Sequence, residues 1–156
     1  MDVKTTFLHG NLEERILMAQ SEGFIKKGDE GKVCLLKKSF YGLKQSPRQW
    51  YLRFDEFMLR NKNVRRNYDS CVYVKWVQKG LEVFLLLYVD NMLIASKDKK
   101  EIQKLKWQLG SEFEMKDLGQ AKKILGMEII RDREQGMLFV TQCGYLCKVV
   151  AKFGMA

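Results

Sequence analysis

The chain has 156 residues, which is enough for one ordinary domain with a buried core and too few for two independent ones. Apolar residues make up 46% of the chain and charged residues 30%, which excludes a disordered tail and predicts a globular fold. Lysine and arginine outnumber aspartate and glutamate by 28 to 19; the net charge of +9 favours a polyanionic partner such as nucleic acid, although a basic surface that is merely solvated is the alternative.

The sequence gives little support for a membrane-spanning helix, for disulfide bonds or for histidine-based metal or catalytic sites. The longest apolar run is far below the ~18 residues of a membrane-spanning helix, so we expect a soluble protein without a membrane partner. The four cysteines lack paired metal-ligand spacing, which predicts reduced, packed thiols in an intracellular protein. His9 is the only histidine, which excludes histidine-pair metal sites and gives a catalytic triad little support.

The first third of the chain contains short strand patterns followed by a helix. Strand-like segments are predicted at residues 1–8, 15–19 and 32–36. A helix is predicted to about Asn61, with Ser46 as its cap and Pro47 in its first turn. Its apolar face is formed by Trp50, Phe54, Phe57 and Met58.

The remaining elements predict a mixed α+β domain. Three strand patterns at 71–77, 81–90 and 91–96 have very short joints and therefore predict an antiparallel meander. A helix is predicted from Asp98, with Glu101 completing a capping box, and it buries Ile102, Leu105, Leu109 and Phe113. A hairpin is predicted at 124–142 with its turn at 134–136, and a last helix near Gln142 presents Leu146, Val149, Val150 and Phe153.

The run "LLLYVDNMLIA", residues 85–95, places two polar residues at the centre of an apolar stretch. If 83–89 and 92–96 pair, Asp90 and Asn91 form a two-residue turn, and both residue types tolerate the positive φ that such turns require. Turn chemistry alone is therefore one interpretation. The other is that the hairpin holds Asp90 against a strand carrying Asp2, because two carboxylates on adjoining strands suit Mg²⁺.

Four blocks of sequence carry a more specific signal. "MDVKTTFLHGNLEERILM", "KVCLLKKSFYGLKQSPRQWY", "LLLYVDNMLIASKD" and "FEMKDLGQAKKILGMEI" resemble, in order and spacing, the reverse transcriptase of Ty1/copia-type long-terminal-repeat retrotransposons. The resemblance covers residues 1–156 as one domain fragment. It implies a right-hand polymerase palm, in which helices back an antiparallel sheet, with truncated fingers and the start of a thumb.

The resemblance also implies a reaction and its partners. The reaction is template-directed transfer of a deoxynucleotide onto a primer 3′ end, with pyrophosphate leaving. The expected partners are an RNA or DNA template with its primer, deoxynucleoside triphosphates and two Mg²⁺ ions. An intact element of this kind is expected to act in a cytoplasmic particle.

Carried over residue by residue, the resemblance implies metal binding by Asp2, Asp90 and the backbone carbonyl of Val3. The implied nucleotide-binding residues are Lys4, Thr5 and Thr6 along the triphosphate, Phe7 as the gate against a ribose 2′-hydroxyl, Gln45, and Lys116 near the leaving pyrophosphate. The implied nucleic-acid contacts are Lys44, Arg48 and Gly126, the last in a primer-gripping hairpin. The structural alternatives are a solvated face for Lys44 and Arg48 and a core position for Phe7.

Asn91 departs from the family, which has a second aspartate at this position of the tip. Three carboxylates, a charge of −3, become two, a charge of −2. The loss of one transition-state contact typically costs about 10²–10³ in rate, so we expect a weak or inactive polymerase. The family's fingers region precedes the block at residue 1, so Asp2 is expected on a strand without its leading half. The alternatives are a degenerate remnant that binds nucleic acid without catalysis, or an unrelated RNA-binding domain.

Overall fold

The computed structural model describes residues 1–155, which fall into two compact units, Met1–Asp117 and a second that begins at Leu118. Within residues 1–155, no helix has both the length and the hydropathy that a bilayer crossing requires.

The first unit contains a six-stranded antiparallel sheet, two helices and a separate strand pair. Its elements are β1 (Asp2–Val3), a 3₁₀ helix (Thr6–His9), β2 (Leu17–Ala19), β3 (Val33–Leu35), α1 (Ser46–Arg60), β4 (Val64–Arg65), β5 (Val72–Gln78), β6 (Leu81–Tyr88), β7 (Asn91–Ser96), α2 (Lys99–Glu112) and β8 (Met115–Lys116). The strand order of the large sheet is β4-β5-β6-β7-β1-β8, and β2 pairs with β3. The predicted meander, β5 to β7, is confirmed.

The core of this unit lies between one face of the sheet and the two helices. Strand β6 alternates, so that its inward residues Val83, Leu85 and Leu87 are buried, as the period of two requires. The predicted apolar face of α1 is buried, and its Trp50 and Phe54 rings pack against Phe113 at the end of α2.

The helix starts confirm one predicted cap and correct the other. Asp98 caps α2, because its Oδ1 accepts the Lys100 backbone N–H at 2.8 Å. The prediction that Ser46 caps α1 is wrong: Ser46 is the first helical residue and its hydroxyl donates to the Phe40 carbonyl. Gln45 holds the cap position without a side-chain cap, and Pro47 lies in the first turn as predicted.

The predicted strand at residues 1–8 is wrong beyond Val3. Thr5 has a φ of 49°, and the buried Thr6 hydroxyl donates to the Val3 carbonyl at 2.8 Å, so the chain turns into the 3₁₀ helix. This turn brings Gly10 against α1, where an added Cβ would lie 2.9 Å from the Cβ of Gln49. Packing against α1 therefore overrides the strand pattern of the sequence.

The second unit contains β9 (Lys123–Ile124), β10 (Met127–Asp132), β11 (Met137–Thr141) and α3 (Cys143–Lys152), with strand order β11-β10-β9. The predicted hairpin and last helix are confirmed. None of its described residues is buried, and on the predicted apolar face Leu146 and Phe153 are exposed.

All four cysteines are free thiols, but the prediction that they pack in the interior is wrong for three of them. Cys34, Cys143 and Cys147 are exposed, because they lie on the small β2–β3 pair and on α3. Cys71, next to the large sheet, is half-buried.

Candidate active site at the hairpin tip

The turn between β6 and β7 consists of Val89 and Asp90. Tyr88 pairs with Asn91, so the predicted Asp90–Asn91 turn is wrong by one residue. Val89 has a φ of 56°, whereas Asp90 has no positive φ, which is the pattern of a type II′ turn. Asn91 instead belongs to β7 because it also pairs with Asp2 of β1.

Strand β1 joins Asp2 to the tip. Asp2 lies directly opposite Asn91, the Val3 N–H donates to the Asp90 carbonyl at 2.9 Å, and the Met92 N–H donates to the Met1 carbonyl at 2.8 Å. The two predicted catalytic aspartates are therefore brought to neighbouring positions by backbone hydrogen bonds.

Four polar residues form one row across β6, β7, β1 and β8. Tyr88 pairs with Asn91, Asn91 with Asp2, and Asp2 with Lys116. Directly paired residues of antiparallel strands project from the same face. Since Val3 and Met92, next to Asp2 and Asn91, are buried, this row faces away from the core.

The groups of this row differ in charge. Asp2 stands between the neutral Asn91 and the cationic Lys116. Asn91 Nδ2 donates to Asp90 Oδ1 at 2.7 Å, so one carboxylate oxygen of Asp90 accepts a hydrogen bond from the residue that replaces an acid. The amide thus partly occupies a carboxylate that a cation would need.

The donor set fits Mg²⁺ in kind. Asp2 and Asp90 contribute carboxylates, and the Val3 carbonyl contributes a further hard oxygen, although it already accepts the Thr6 hydroxyl. Within residues 1–155, no three acidic, histidine or cysteine side chains are grouped in a way that could hold a metal ion. The residues therefore suit a divalent cation with fewer carboxylates than three.

The residues predicted along the triphosphate lie in different surroundings. The Lys4 ammonium forms an exposed ion pair with Glu114 at 2.8 Å, which raises the pKa of Lys4 and lowers the pKa of Glu114. Thr5 is exposed, whereas the side chain of Thr6 is buried and bonds to Val3. Their predicted contacts with a triphosphate stay predictions.

Phe7 lies at an apolar pocket of about 270 Å³ beside the tip. The pocket is lined by Phe7, Pro47, Trp50, Tyr51, Cys71, Leu87, Tyr88 and Val89. The Tyr41 ring meets the Phe7 ring edge-on with centroids 4.6 Å apart. Phe7 is thus half-buried and lines the same pocket as Tyr88 and Val89, and its predicted role as a gate stays a prediction.

The other predicted contacts are spread over both units. Gln45 lies at the start of α1 and its amide is 3.5 Å from Glu14 Oε2. Lys44 and Arg48 flank it and are exposed. Gly126 lies in the second unit, in the tight β9–β10 turn, where both Leu125 and Gly126 have positive φ.

One tip residue was missed by the sequence reasoning, which placed Trp50 in the core and nothing more. Its indole Nε1–H donates to the Val89 carbonyl at 2.7 Å. The available signal was chemical, because a buried tryptophan has one N–H that needs an acceptor.

Comparisons with known proteins agree over the whole chain. The family model described as "Reverse transcriptase (RNA-dependent DNA polymerase)" matches residues 1–156. The Pol polyprotein of transposon TNT 1-94 from Nicotiana tabacum is 51% identical over 99% of this chain and 12% of its own length. The corresponding polyprotein of transposon RE1 from Arabidopsis thaliana is 33% identical over 99% of this chain and 10% of its own.

A transposon Ty5-1 protein from Saccharomyces cerevisiae is 28% identical over 97% of this chain and 49% of its own length. The chain thus spans about a tenth of the plant polyproteins and about half of the yeast protein. No solved structure matches it. The chain belongs to the reverse transcriptase (RNA-dependent DNA polymerase) family, in the copia-type branch of retrotransposon Pol polyproteins.

Proposed function

We propose that residues 1–117 form the palm of the reverse transcriptase and carry template-directed transfer of deoxynucleotides at the hairpin tip. The substrates are a primer on an RNA or DNA template and deoxynucleoside triphosphates. The hairpin and helix of the second unit contain the start of the thumb, and Gly126 contacts the primer there. The α+β architecture and the family membership support this proposal.

The observation that carries the proposal is the register of β1 against β7. It sets Asp2 opposite Asn91 and bonds the Val3 N–H to the Asp90 carbonyl, so Asp2 on a strand and Asp90 at the adjoining turn come from distant parts of the chain to neighbouring positions. A fixed geometry of this kind suits a two-metal site, because ligands whose backbone is already held by hydrogen bonds lose little freedom when they bind. In this proposal Asp2, Asp90 and the Val3 carbonyl hold two Mg²⁺ ions.

When bound, Mg²⁺ would supply Lewis-acid activation of the primer hydroxyl and charge neutralisation at the leaving pyrophosphate. The side chains of the chain itself bind and orient. Lys116, in the same row as Asp2, presents an ammonium to the pyrophosphate. The Lys4 ammonium breaks its ion pair with Glu114 and binds the triphosphate, beside Thr5 and the backbone of Thr6.

The nucleotide and template are positioned from the α1 side. Phe7 at the pocket excludes a ribose 2′-hydroxyl, since its ring packs edge-on against Tyr41 and lines the pocket beside the tip. Gln45 at the start of α1 orients the incoming nucleotide, and the exposed Lys44 and Arg48 contact template phosphates.

We further propose that Asn91 impairs this site. It lowers the carboxylate charge by one unit, and its amide donates to Asp90 at 2.7 Å. Both effects weaken the attraction for divalent cations.

Primer extension on an RNA template with Mg²⁺ tests the proposal, using the full chain with Asn91→Asp to restore the third carboxylate. Adding Asp2→Asn should abolish extension, because it removes a ligand of the proposed site. Adding Asp29→Asn instead should leave extension unchanged, because Asp29 lies in the 20–32 loop outside the proposed site, where its carboxylate forms an ion pair with Lys32. Extension that survives Asp2→Asn would refute the proposed site.

A further inference from the structure

The position of Asp90 depends on which turn the hairpin adopts. Type I′ and type II′ turns differ by a flip of the peptide between the two central residues, here the peptide that joins Val89 to Asp90. Only the type II′ form leaves Asp90 with a negative φ, and this is the form in the structure. A flip would redirect the Asp90 side chain.

The type II′ form is not what the residues of the turn favour. Both primed turns need a positive φ at the first central position, which disfavours residues with a Cβ and most of all β-branched ones. The type II′ turn also needs a ψ of about −120° there, so that position is normally glycine. Val89 occupies that position with a φ of 56°. A contact from outside the turn must therefore select this form.

Trp50 supplies that contact. Its Nε1–H donates at 2.7 Å to the Val89 carbonyl, which is the oxygen that changes sides when the peptide flips. The indole is 2% exposed and is fixed by Phe54 and Phe113, whose ring centroids lie 5.5 and 5.2 Å away. The next carbonyl, that of Asp90, is fixed by the Val3 N–H.

We propose that Trp50 is a positioning residue of the polymerase site, which aims Asp90 at Asp2 by holding the Val89–Asp90 peptide in the type II′ form. The inference rests on the proposed function only where it takes Asp90 as a metal ligand. The backbone geometry that it predicts is independent of any metal.

Nuclear magnetic resonance of the labelled full chain without metal tests the geometry. In Trp50→Phe, which keeps an aromatic ring and removes the N–H, the three-bond amide–Hα coupling and the Cα shift of Asp90 should change to those of a positive φ. Adding Val89→Gly should restore the negative φ, because glycine favours the type II′ form by itself. Phe54→Leu is the packing control: it weakens the same aromatic cluster, and it should lower the melting temperature without changing Asp90.

Titration with Mn²⁺ alone, followed by broadening of the Asp2 and Asp90 amide signals, tests the consequence for binding. Trp50→Phe should raise the Kd about 10-fold, in the range seen when a group that orients a ligand is removed. The Kd of Phe54→Leu for Mn²⁺ should equal that of the parent chain. The Kd of the double variant Trp50→Phe with Val89→Gly should approach the parent value.

An unchanged Asp90 φ in Trp50→Phe would overturn the inference, as would an equal change in Phe54→Leu. If Trp50→Phe does not fold, indole exchange in the parent chain decides: the Trp50 proton should exchange far more slowly than that of Trp107, which is 74% exposed. Equal exchange would overturn the inference. If the parent binds no Mn²⁺ near Asp2 and Asp90, the metal proposal fails, while the φ measurement still decides the role of Trp50.

Discussion

Single residues set both the close packing around the site and its charge. Gly10 follows the 3₁₀ helix and lets it approach α1 just before Trp50, where a Cβ would also lie 3.1 Å from the Trp50 backbone nitrogen. Since the φ of Gly10 is −74°, the need for glycine comes from space alone and not from backbone strain.

We therefore predict that Gly10→Ala lowers the free energy of unfolding by about 2 kcal/mol, because the atoms in its way are the Cβ of Gln49 and backbone atoms of α1, which cannot move aside. Urea unfolding followed by circular dichroism measures this. Gly31→Ala is the matched control, with nothing within 4 Å of the added Cβ, and should change stability by less than about 0.5 kcal/mol. Equal effects of the two variants would contradict the packing argument.

The exposed pair of Lys4 and Glu114 predicts a pH dependence. The pKa of Glu114 in the folded protein is below its ordinary value of 4.5. Its contribution to folding stability is therefore present above pH 4.5 and is lost as the pH falls through the folded pKa. The folded pKa of Lys4 is above 10.5, so its contribution is present below pH 10.5 and is lost as the pH rises through the folded value.

Glu114→Gln should therefore lower the melting temperature slightly between pH 4.5 and pH 10.5. It should not lower the melting temperature at strongly acidic pH. The difference should vanish at about 1 M salt, which screens exposed charges. Thermal melts of both proteins across pH and salt measure it, and a difference that persists in acid would contradict the assignment.

Secondary-structure elements show which features the sequence determines locally. The meander and all three helices are predicted, because their apolar periods and short joints are local properties. The break of β1 after Val3 is not, because it depends on contact between Gly10 and a helix almost forty residues away. The same holds for the turn at Val89 and Asp90, since Asn91 pairs both with Tyr88 and with the distant Asp2 and so belongs to β7.

The candidate site divides in the same way. The strand and hairpin pattern offers Asp2 and Asp90 as one interpretation and the resemblance implies both, and the structure brings these two residues to neighbouring positions. Phe7 comes from the resemblance alone and lines a pocket with Tyr88 and Val89. The burial of the Thr6 side chain and the identity of the acceptor for the Trp50 N–H are not predicted by the sequence, because each depends on a partner from another element or turn.

Helix α2, which packs behind the sheet, supplies a test at the scale of an element. Asp98→Ala should lower the free energy of unfolding by about 1 kcal/mol, because the Lys100 N–H loses its acceptor. Asp98→Asn keeps a side-chain acceptor and should lower the free energy of unfolding by only a few tenths of that amount. Urea unfolding of the three proteins measures the difference, and equal losses in the two variants would show that charge, rather than the cap, stabilises the helix start.

At the scale of the whole molecule, the two units differ in burial. The first contains the buried core, whereas no described residue from 118 to 155 is buried. Local opening is easier where little apolar surface is buried. Amide hydrogens of β5–β7 should therefore exchange at least about 100-fold more slowly than those of α3. Hydrogen exchange of the full chain measures this, and equal protection would contradict it.

We propose that the tip is a polymerase site weakened by Asn91. The most direct test of this proposal is Mg²⁺-dependent primer extension on an RNA template by the parent chain and by Asn91→Asp, after circular dichroism shows that both are folded. We expect extension about 10²–10³ times faster in the variant, because the third carboxylate restores a transition-state contact. Equal rates in the two proteins, whether both fast or both absent, would contradict the proposal.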